Sequence, residues 1–437
     1  QGESFFAAGV PWFVALSGRD SLLTALQMLA YQPGFAADSL RLLARYQGQQ
    51  VDAWRDEEPG KIPHELRTGE KAIMAEVPHS RYYGTVDATP LFIILLGEYL
   101  RWTGDRALAG ELHPNIERAL AWIDRADHDG DGFVDYARQS PAGLENQGWK
   151  DSWNGIRHRD GTTAVPPIAL VEVQAYVYSA KQAAARLYRS QGNGKRAGEL
   201  ERAAARLRGQ FHRRFWLSDR STYALALDKG GRRVESSTSN PGHALWCGIA
   251  DQRAASSLVR TLMSDAMFSG WGIRTLAADE LAYDPDDYQV GAVWPHDNAI
   301  ILAGLKRYGF DKEAAQLFTG MFEAAQRLPL GRLPELFAGY SREQAPLPIA
   351  YPQACIPQAW AAGALPFMLR AMLGLEPDAA QHELRVRHPT LPDWLSTVVL
   401  RDLRVGEARA DLQFVRGSES TRVLILRQEG PLRITVV

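Results

Sequence analysis

The sequence predicts an all-α fold: an (α/α)6 toroid of helical hairpins with a small C-terminal β appendage. Three observations carry this. Apolar residues recur at helical spacing in eleven segments, most of them joined in pairs by short turns. Within each pair one segment is apolar nearly all round and the other amphipathic and charged, as the inner and outer layers of a ring require. Strand-like alternation between turn signals appears only after residue 383.

In chain order the inner helices are predicted at 19–31, 88–103, 168–191, 240–249, 293–309 and 356–373. The outer ones are predicted at 35–48, 111–126, 195–216, 251–264 and 311–327. Turns such as "AYQPGFAAD", "SQGNGKRAG" and "KRYGFDKEA" join them. "HELRVRHP", "STVVLRDLRVG", "ARADLQFVRG" and "TRVLILRQ" supply the strands of the tail. This divides the chain into a toroid over 1–375 and a β-rich extension over 376–437. A closed ring needs a twelfth, outer helix, expected just upstream of Gly9. The sequence opens at Gln1 without an initiator methionine and is read as part of a longer protein.

Composition narrows the function. The formal charge is −2, from 49 basic and 51 acidic residues, which leaves no electrostatic footprint for nucleic acid or an anionic membrane. The most apolar run, "LFIILL" at 91–96, is far too short to span a bilayer. Two isolated cysteines, Cys247 and Cys355, neither staple the chain nor build a zinc site. These features favour a cytoplasmic location with no required cofactor.

Each inner helix is preceded by a loop rich in Trp, Asp, Arg, His or Glu: "PWFVALSGRD", "YYGTVDATP", "NQGWKDSWNGIRH", "TSNPGH", "DYQVGAVWPHDN" and "GRLPELFAGY" through "QAW". If the inner helices run parallel, these loops meet at one end of the ring. They then line a pocket with Trp12, Trp149, Trp153, Trp294 and Trp360, with carboxylates between them. Aromatic faces stack on sugar rings while charged groups bond hydroxyls, so the predicted ligand is a carbohydrate.

Together, "AAGVPWFVALSGRDSL", "RDEEPGKIPHELR", "YYGTVDATPLF", "NQGWKDSW", "SNPGHALWCGI", "FSGWGIRTL", "VWPHDNA" and "LPELFAGY" resemble the bacterial amylo-α-1,6-glucosidase-like family. That family is related to the glucosidase domain of glycogen debranching enzymes and to other (α/α)6-toroid glycoside hydrolases. The resemblance runs from about residue 5 to 375. It implies an inverting, exo-acting hydrolase that removes α-linked glucose from glycogen-like glucans or oligosaccharides. Ser17 and Asn154 depart from the pattern, which usually has an aromatic residue before "GRD" and an acidic one after "DSW".

Glycoside hydrolysis needs a protonated carboxyl for the leaving oxygen and a second carboxylate to activate water. Asp151, between Trp149 and Trp153, is the predicted acid, because burial among aromatics raises a carboxyl pKa. Lys150 is expected to reach a substrate hydroxyl or another carboxylate. Glu335, in "RLPELF", is the predicted base; its residue pattern fits a helix N-terminus equally well, and the resemblance decides the matter. An inverting pair stands roughly 6.5–9.5 Å apart, a retaining pair about 5–5.5 Å. By resemblance Arg19 and Asp20 hold hydroxyls of the terminal glucose. Asp87 is a cap or a ligand, and Glu65, His243, Trp271, Trp294, His296, Asp297 and Trp360 complete the substrate-binding set.

"DHDGDGFVDY" aligns Asp127, Asp129, Asp131 and Asp135 with the start of a calcium loop, but Arg138 stands where the closing Glu belongs. An Asp/Gly-rich turn is the stronger reading, with calcium the only candidate ion. The competing functions are a sugar epimerase working through His243 and His296, a phosphorylase, and a non-catalytic glucan-binding toroid. Linkage, natural substrate and oligomeric state are not legible.

Overall fold

The computed structural model describes residues 4–418 and 420–437; residues 1–3, which open the first predicted domain, lie outside the described residues. All eleven predicted helices are present among the described residues, with trimmed ends. The inner layer is α1 (Gly18–Met28), α3 (Ala88–Thr103), α5 (Val171–Ser190), α7 (Gly242–Cys247), α9 (Pro295–Arg307) and α11 (Ala364–Met372). Each packs on the next, and α11 returns to α1, so the inner ring closes. The outer layer is α2 (Gly34–Arg45), α4 (His113–Ile123), α6 (Gly194–Phe215), α8 (Gln252–Leu262) and α10 (Asp311–Arg327). Each outer helix lies over the inner helix that precedes it.

Burial explains the two layers. Leu91 to Leu96 of α3 is buried without a break, because this helix has neighbours on every side. In α8 only Ala254, Ala255, Leu258, Val259 and Leu262 are buried, the one-sided stripe of a surface helix. Inner helices approach closely where glycine permits it: a Cβ on Gly97 would lie 2.8 Å from Ala183 Cβ, and one on Gly304 2.6 Å from Leu245 Cβ. The predicted last helix is interrupted. A turn at Ala359–Ala362 precedes α11, and a Cβ on Gly363 between them would lie 2.2 Å from Gln27 Oε1.

The tail forms two three-stranded sheets. The strands are β1 (Leu375–Asp378), β2 (Glu383–Val386), β3 (Thr397–Val405), β4 (Ala408–Arg416), β5 (Thr421–Glu429) and β6 (Arg433–Val436). β2 sits between β1, antiparallel, and β6, parallel; β4 sits between β3 and β5, both antiparallel. Leu403, Val405, Leu412 and Phe414 join the same apolar cluster as Trp102 at the end of α3. The expectation of strands only after residue 383 needs correction. β1 begins at Leu375, and short strands pair among the toroid loops, notably Leu16–Ser17 with Glu65–Leu66 and Ala169–Leu170 with Ala226–Asp228. Two- and three-residue strands are too short to show a period.

At the C-terminal ends of the inner helices lies a cavity of about 370 Å³ bordered by Arg101, Lys306, Arg307 and Arg370. Converging helix C-termini carry partial negative charge, which these cations offset. Among the described residues no helix is long and apolar enough to cross a membrane. Cys247 and Cys355 are free and buried.

Candidate active site

The opposite end gathers the loops that enter the inner helices, and it encloses a cavity of about 300 Å³. The loop carrying Asp151 is held from several sides. Asn146 accepts from Tyr136 Oη (2.6 Å) and donates to Ser152 O (2.7 Å), and Gln147 O accepts from Val86 N (2.8 Å). Gly148 lets this loop pass Leu170, whose Cδ1 would lie 2.2 Å from an added Cβ. Beside it the short strand at Leu16–Ser17 pairs with Leu66 and Glu65, and Ser17 caps α1 through Asp20 N. That register places Arg19, Asp20 and Glu65 together on the cavity wall.

Arg19 organises the polar side of the cavity. Its guanidinium donates to Asp87 Oδ2 (3.1 Å), Gly148 O (3.0 Å) and Asp151 Oδ2 (2.9 Å). Burial pushes the Asp151 carboxyl up to about 6, against the opposing pull of Arg19. Asp20, bonded to Ser17 and to Gln358 Nε2 (2.8 Å), is pushed by burial to about 7. Glu335 lies on the same cavity. Tyr288 Oη donates to its Oε1 (2.5 Å) and Cys355 N to its Oε2 (2.9 Å), while burial raises its pKa. The Glu335 backbone bonds Cys355 O (3.0 Å), and Phe337 pairs with Val293, so the residue stands on a pinned extended loop and not on a helix N-terminus.

Trp149, Trp294 and Trp360 form the aromatic wall. Trp149 meets Trp294 edge-on at 5.6 Å, and Trp294 meets Trp360 edge-on at 6.0 Å. Trp149 Nε1, Trp360 Nε1 and Gln358 Oε1 are buried without a protein partner among the described residues. Three such groups around an apolar wall are what a polyol with hydrophobic ring faces would satisfy.

Several predicted ligands stand elsewhere. Trp153 does not bracket Asp151: it is 63% exposed, with Arg157 over its ring at 5.2 Å, so Trp149 and the surrounding loops bury the acid. Lys150 reaches neither the cavity nor a carboxylate; it turns away and donates to Thr275 O (2.7 Å), and burial lowers its pKa to about 8. Asp87 makes no capping bond and lies behind Arg19. His243 is buried behind Trp149, between Tyr176 Oη and Asp297 Oδ1 (2.7 Å), which also accounts for Asp297. His296 backs Trp360 in a parallel stack at 3.7 Å. Trp271 is buried under Arg342, 3.9 Å from its ring centroid, away from the cavity. Trp12 is 59% exposed and borders a separate groove beyond Glu335.

Asp127, Asp129 and Asp135 bring one carboxylate oxygen each within 4.8 Å of one another. Asp131 is outside that group and faces Arg214 at 3.5 Å. Asp127 already accepts from three backbone N–H groups, those of Gly130, Asp131 and Gly132, and Asp135 holds His128. Sequence reasoning missed His64, Arg67, His79, Tyr288 and Gln358, all on the cavity wall. Tyr288 and Gln358 lie inside motifs quoted above, and their only signal was proximity to an inner helix.

A family model for the mannosylglycerate hydrolase MGH1-like glycoside hydrolase domain matches residues 16–337. No curated protein matches the chain at a significant level. Among solved structures, an uncharacterised conserved protein from Thermus thermophilus is 17% identical with a TM-score of 0.63, the match covering 84% of this chain and 96% of that one. A GH63 mannosylglycerate hydrolase from the same organism, solved with Tris and D-glycerate, is 15% identical with a TM-score of 0.62, covering 83% and 95%. A GH78 family rhamnosidase from a Bacillus species is 15% identical with a TM-score of 0.66, over 98% of this chain and 39% of that one. At such identities the structural likeness is one of fold.

Proposed function

The chain belongs to the MGH1-like glycoside hydrolase family, and from that premise we propose that it inverts the anomeric centre as it removes one terminal α-linked hexose. Asp151 is the general acid and Glu335 the general base. The observation that carries this reading is that both carboxyls line one cavity, each with its pKa raised by burial. Asp151 protonates the departing oxygen. Glu335, its two oxygens oriented by Tyr288 and by the Cys355 N–H, takes a proton from the attacking water. Arg19 and Asp20 hold hydroxyls of the sugar in the cavity, and Trp149 and Trp360 line its wall with N–H groups that have no protein partner among the described residues. The histidines of the epimerase alternative are behind the wall, His243 engaged at both ring nitrogens and His296 stacked on Trp360.

The first substrate to try is glucose in α-1,6 linkage on a glycogen-like oligosaccharide. A second reading is favoured by Arg67, a partly exposed cation on the cavity wall: an α-mannoside whose aglycone carries a carboxylate. A panel of α-1,6-, α-1,4- and α-1,2-glucosides beside mannosylglycerate separates the two. Asp151→Asn and Glu335→Gln should each lower kcat by roughly 10²–10⁴-fold. On a glycosyl fluoride, whose leaving group needs no proton, Asp151→Asn should lose far less than Glu335→Gln. NMR should find the β-anomer first; an α-anomer would rule out inversion.

A further inference from the structure

The cavity at the C-terminal ends of the inner helices is, at about 370 Å³, larger than the one at the opposite end, at about 300 Å³. Its wall carries Arg101, Lys306, Arg307, Arg370 and Arg387 but only two carboxylates, Glu98 and Glu376. We infer that this cavity binds a small phosphate monoester, at a site separate from the sugar cavity and independent of the hydrolase reading.

The positive charge is not neutralised inside the protein. Lys306 is fully engaged: it pairs with Asp311 and donates to His388 O (2.7 Å) and Thr390 Oγ1 (2.8 Å). Two of the four arginines share one carboxylate, Arg101 lying 3.1 Å and Arg370 3.6 Å from Glu98. Arg387 stands 3.9 Å from Glu376, and Arg307 has no carboxylate partner among the described residues. Burial would raise Glu98, yet Arg101, Arg370 and Arg186 pull it down to about 2, the mark of cationic surroundings. The helix ends absorb some of this charge, since Arg307 donates to Trp246 O (3.2 Å) and Arg370 to Leu26 O (3.4 Å). Each such bond engages one of the five N–H groups of a guanidinium. Four arginines against two glutamates leave an excess of two positive charges on the wall.

That excess selects the ligand. A phosphate monoester carries about −1.5 to −2 charges at neutral pH, whereas a carboxylate supplies one. Guanidinium forks take phosphate oxygens in pairs. The arginines are already oriented for this. Arg101, Arg307 and Arg370 occupy the last turns of α3, α9 and α11. The Arg370 guanidinium lies over Trp102 at 5.3 Å and Phe367 at 5.6 Å. Arg387 is anchored through its backbone N–H, which donates to Gly374 O (2.9 Å). Leu26, Ile94 and Trp246 give the organic part of the ester an apolar wall.

Titration calorimetry at fixed ionic strength tests the site with glycerol phosphate, glucose 6-phosphate and inorganic phosphate. Both esters should bind wild type with a Kd below about 1 mM, and inorganic phosphate more weakly. Arg307→Gln and Arg387→Gln should each raise the Kd of the esters roughly tenfold or more, the loss of one charge-assisted bond. The Arg387 side chain is 54% exposed, so its replacement keeps the test open if Arg307→Gln folds poorly. No heat with either ester, or a Kd unchanged in both variants, overturns the site and leaves the arginines as counter-charges to the helix ends. Inorganic phosphate bound as tightly as the esters overturns the ligand. Ester binding lost in Arg67→Met but kept in Arg307→Gln and Arg387→Gln would put the ester in the sugar cavity and overturn the proposal as well.

Discussion

Asp151 sits under two opposing influences, and the balance sets the pH at which it can serve as an acid. Removal from water favours its neutral form, while the Arg19 guanidinium at 2.9 Å favours the ionised one. Burial prevails, and the carboxyl titrates at about 6. An acid catalyst works protonated, so kcat/KM should fall as pH rises through about 6. Glu335 works ionised, and burial raises its pKa as well, so the acidic limb should lie above the ordinary glutamate value of 4.5. The profile is therefore a narrow bell on the acid side of neutrality. Arg19→Met removes the cation that lowers Asp151 and should move the alkaline limb upward even as the rate drops. An alkaline limb unmoved in that variant would show that another group sets it. Along this loop residue types were legible in the sequence but side-chain directions were not. Trp149, Lys150 and Trp153 are four positions apart at most, yet one faces the cavity, one the interior and one the solvent. Periodicity does not resolve this in a loop, and the residues behind the wall, Asp87, His243 and Asp297, are of the same types as those on it.

The helices were legible because each layer carries its own pattern over many turns, whereas single turns and two-residue strands carry none. The glycines of the inner ring tie that pattern to packing. Gly304 of α9 faces α7 so closely that a Cβ would lie 2.6 Å from Leu245 Cβ and 2.7 Å from Trp246 N. Since the second of these is backbone, the helices themselves must separate. Gly304→Ala should destabilise the fold by about 1–3 kcal/mol, read as a lower Tm; an unchanged Tm would mean that α7 yields freely. The loop at 127–136 is a turn closed by its own backbone donors, which already occupy both Asp127 oxygens. Adding calcium or EDTA should therefore leave Tm where it is, and a rise with calcium alone would make the loop a metal site.

Over the whole molecule, one end of the ring gathers four carboxyls, Asp20, Glu65, Asp151 and Glu335, around one cavity, an arrangement that trades stability for chemistry. Asp20 shows the trade most clearly. Burial raises it from 3.8 to about 7, so the folded chain binds its proton more tightly than the unfolded chain does. The stability this brings is complete below about 3.8 and is lost as pH rises through about 7. His79, lowered by burial to about 4, acts in the opposite sense: its contribution is present above 6.5 and lost as pH falls toward about 4. Because both operate in overlapping windows, the Tm of wild type alone does not separate them, but a difference between variants does. Asp20→Asn mimics the protonated carboxyl and offers its amide to Gln358 Oε1, which is buried without a partner among the described residues. The variant should melt above wild type at pH 8, and the gap should close as pH falls toward 4. Its hydrolytic rate should fall most above about pH 7, where wild-type Asp20 is ionised and the sugar hydroxyls lose a charged acceptor. A constant gap across that range would mean that Asp20 is already ionised in the fold and that burial does not govern it.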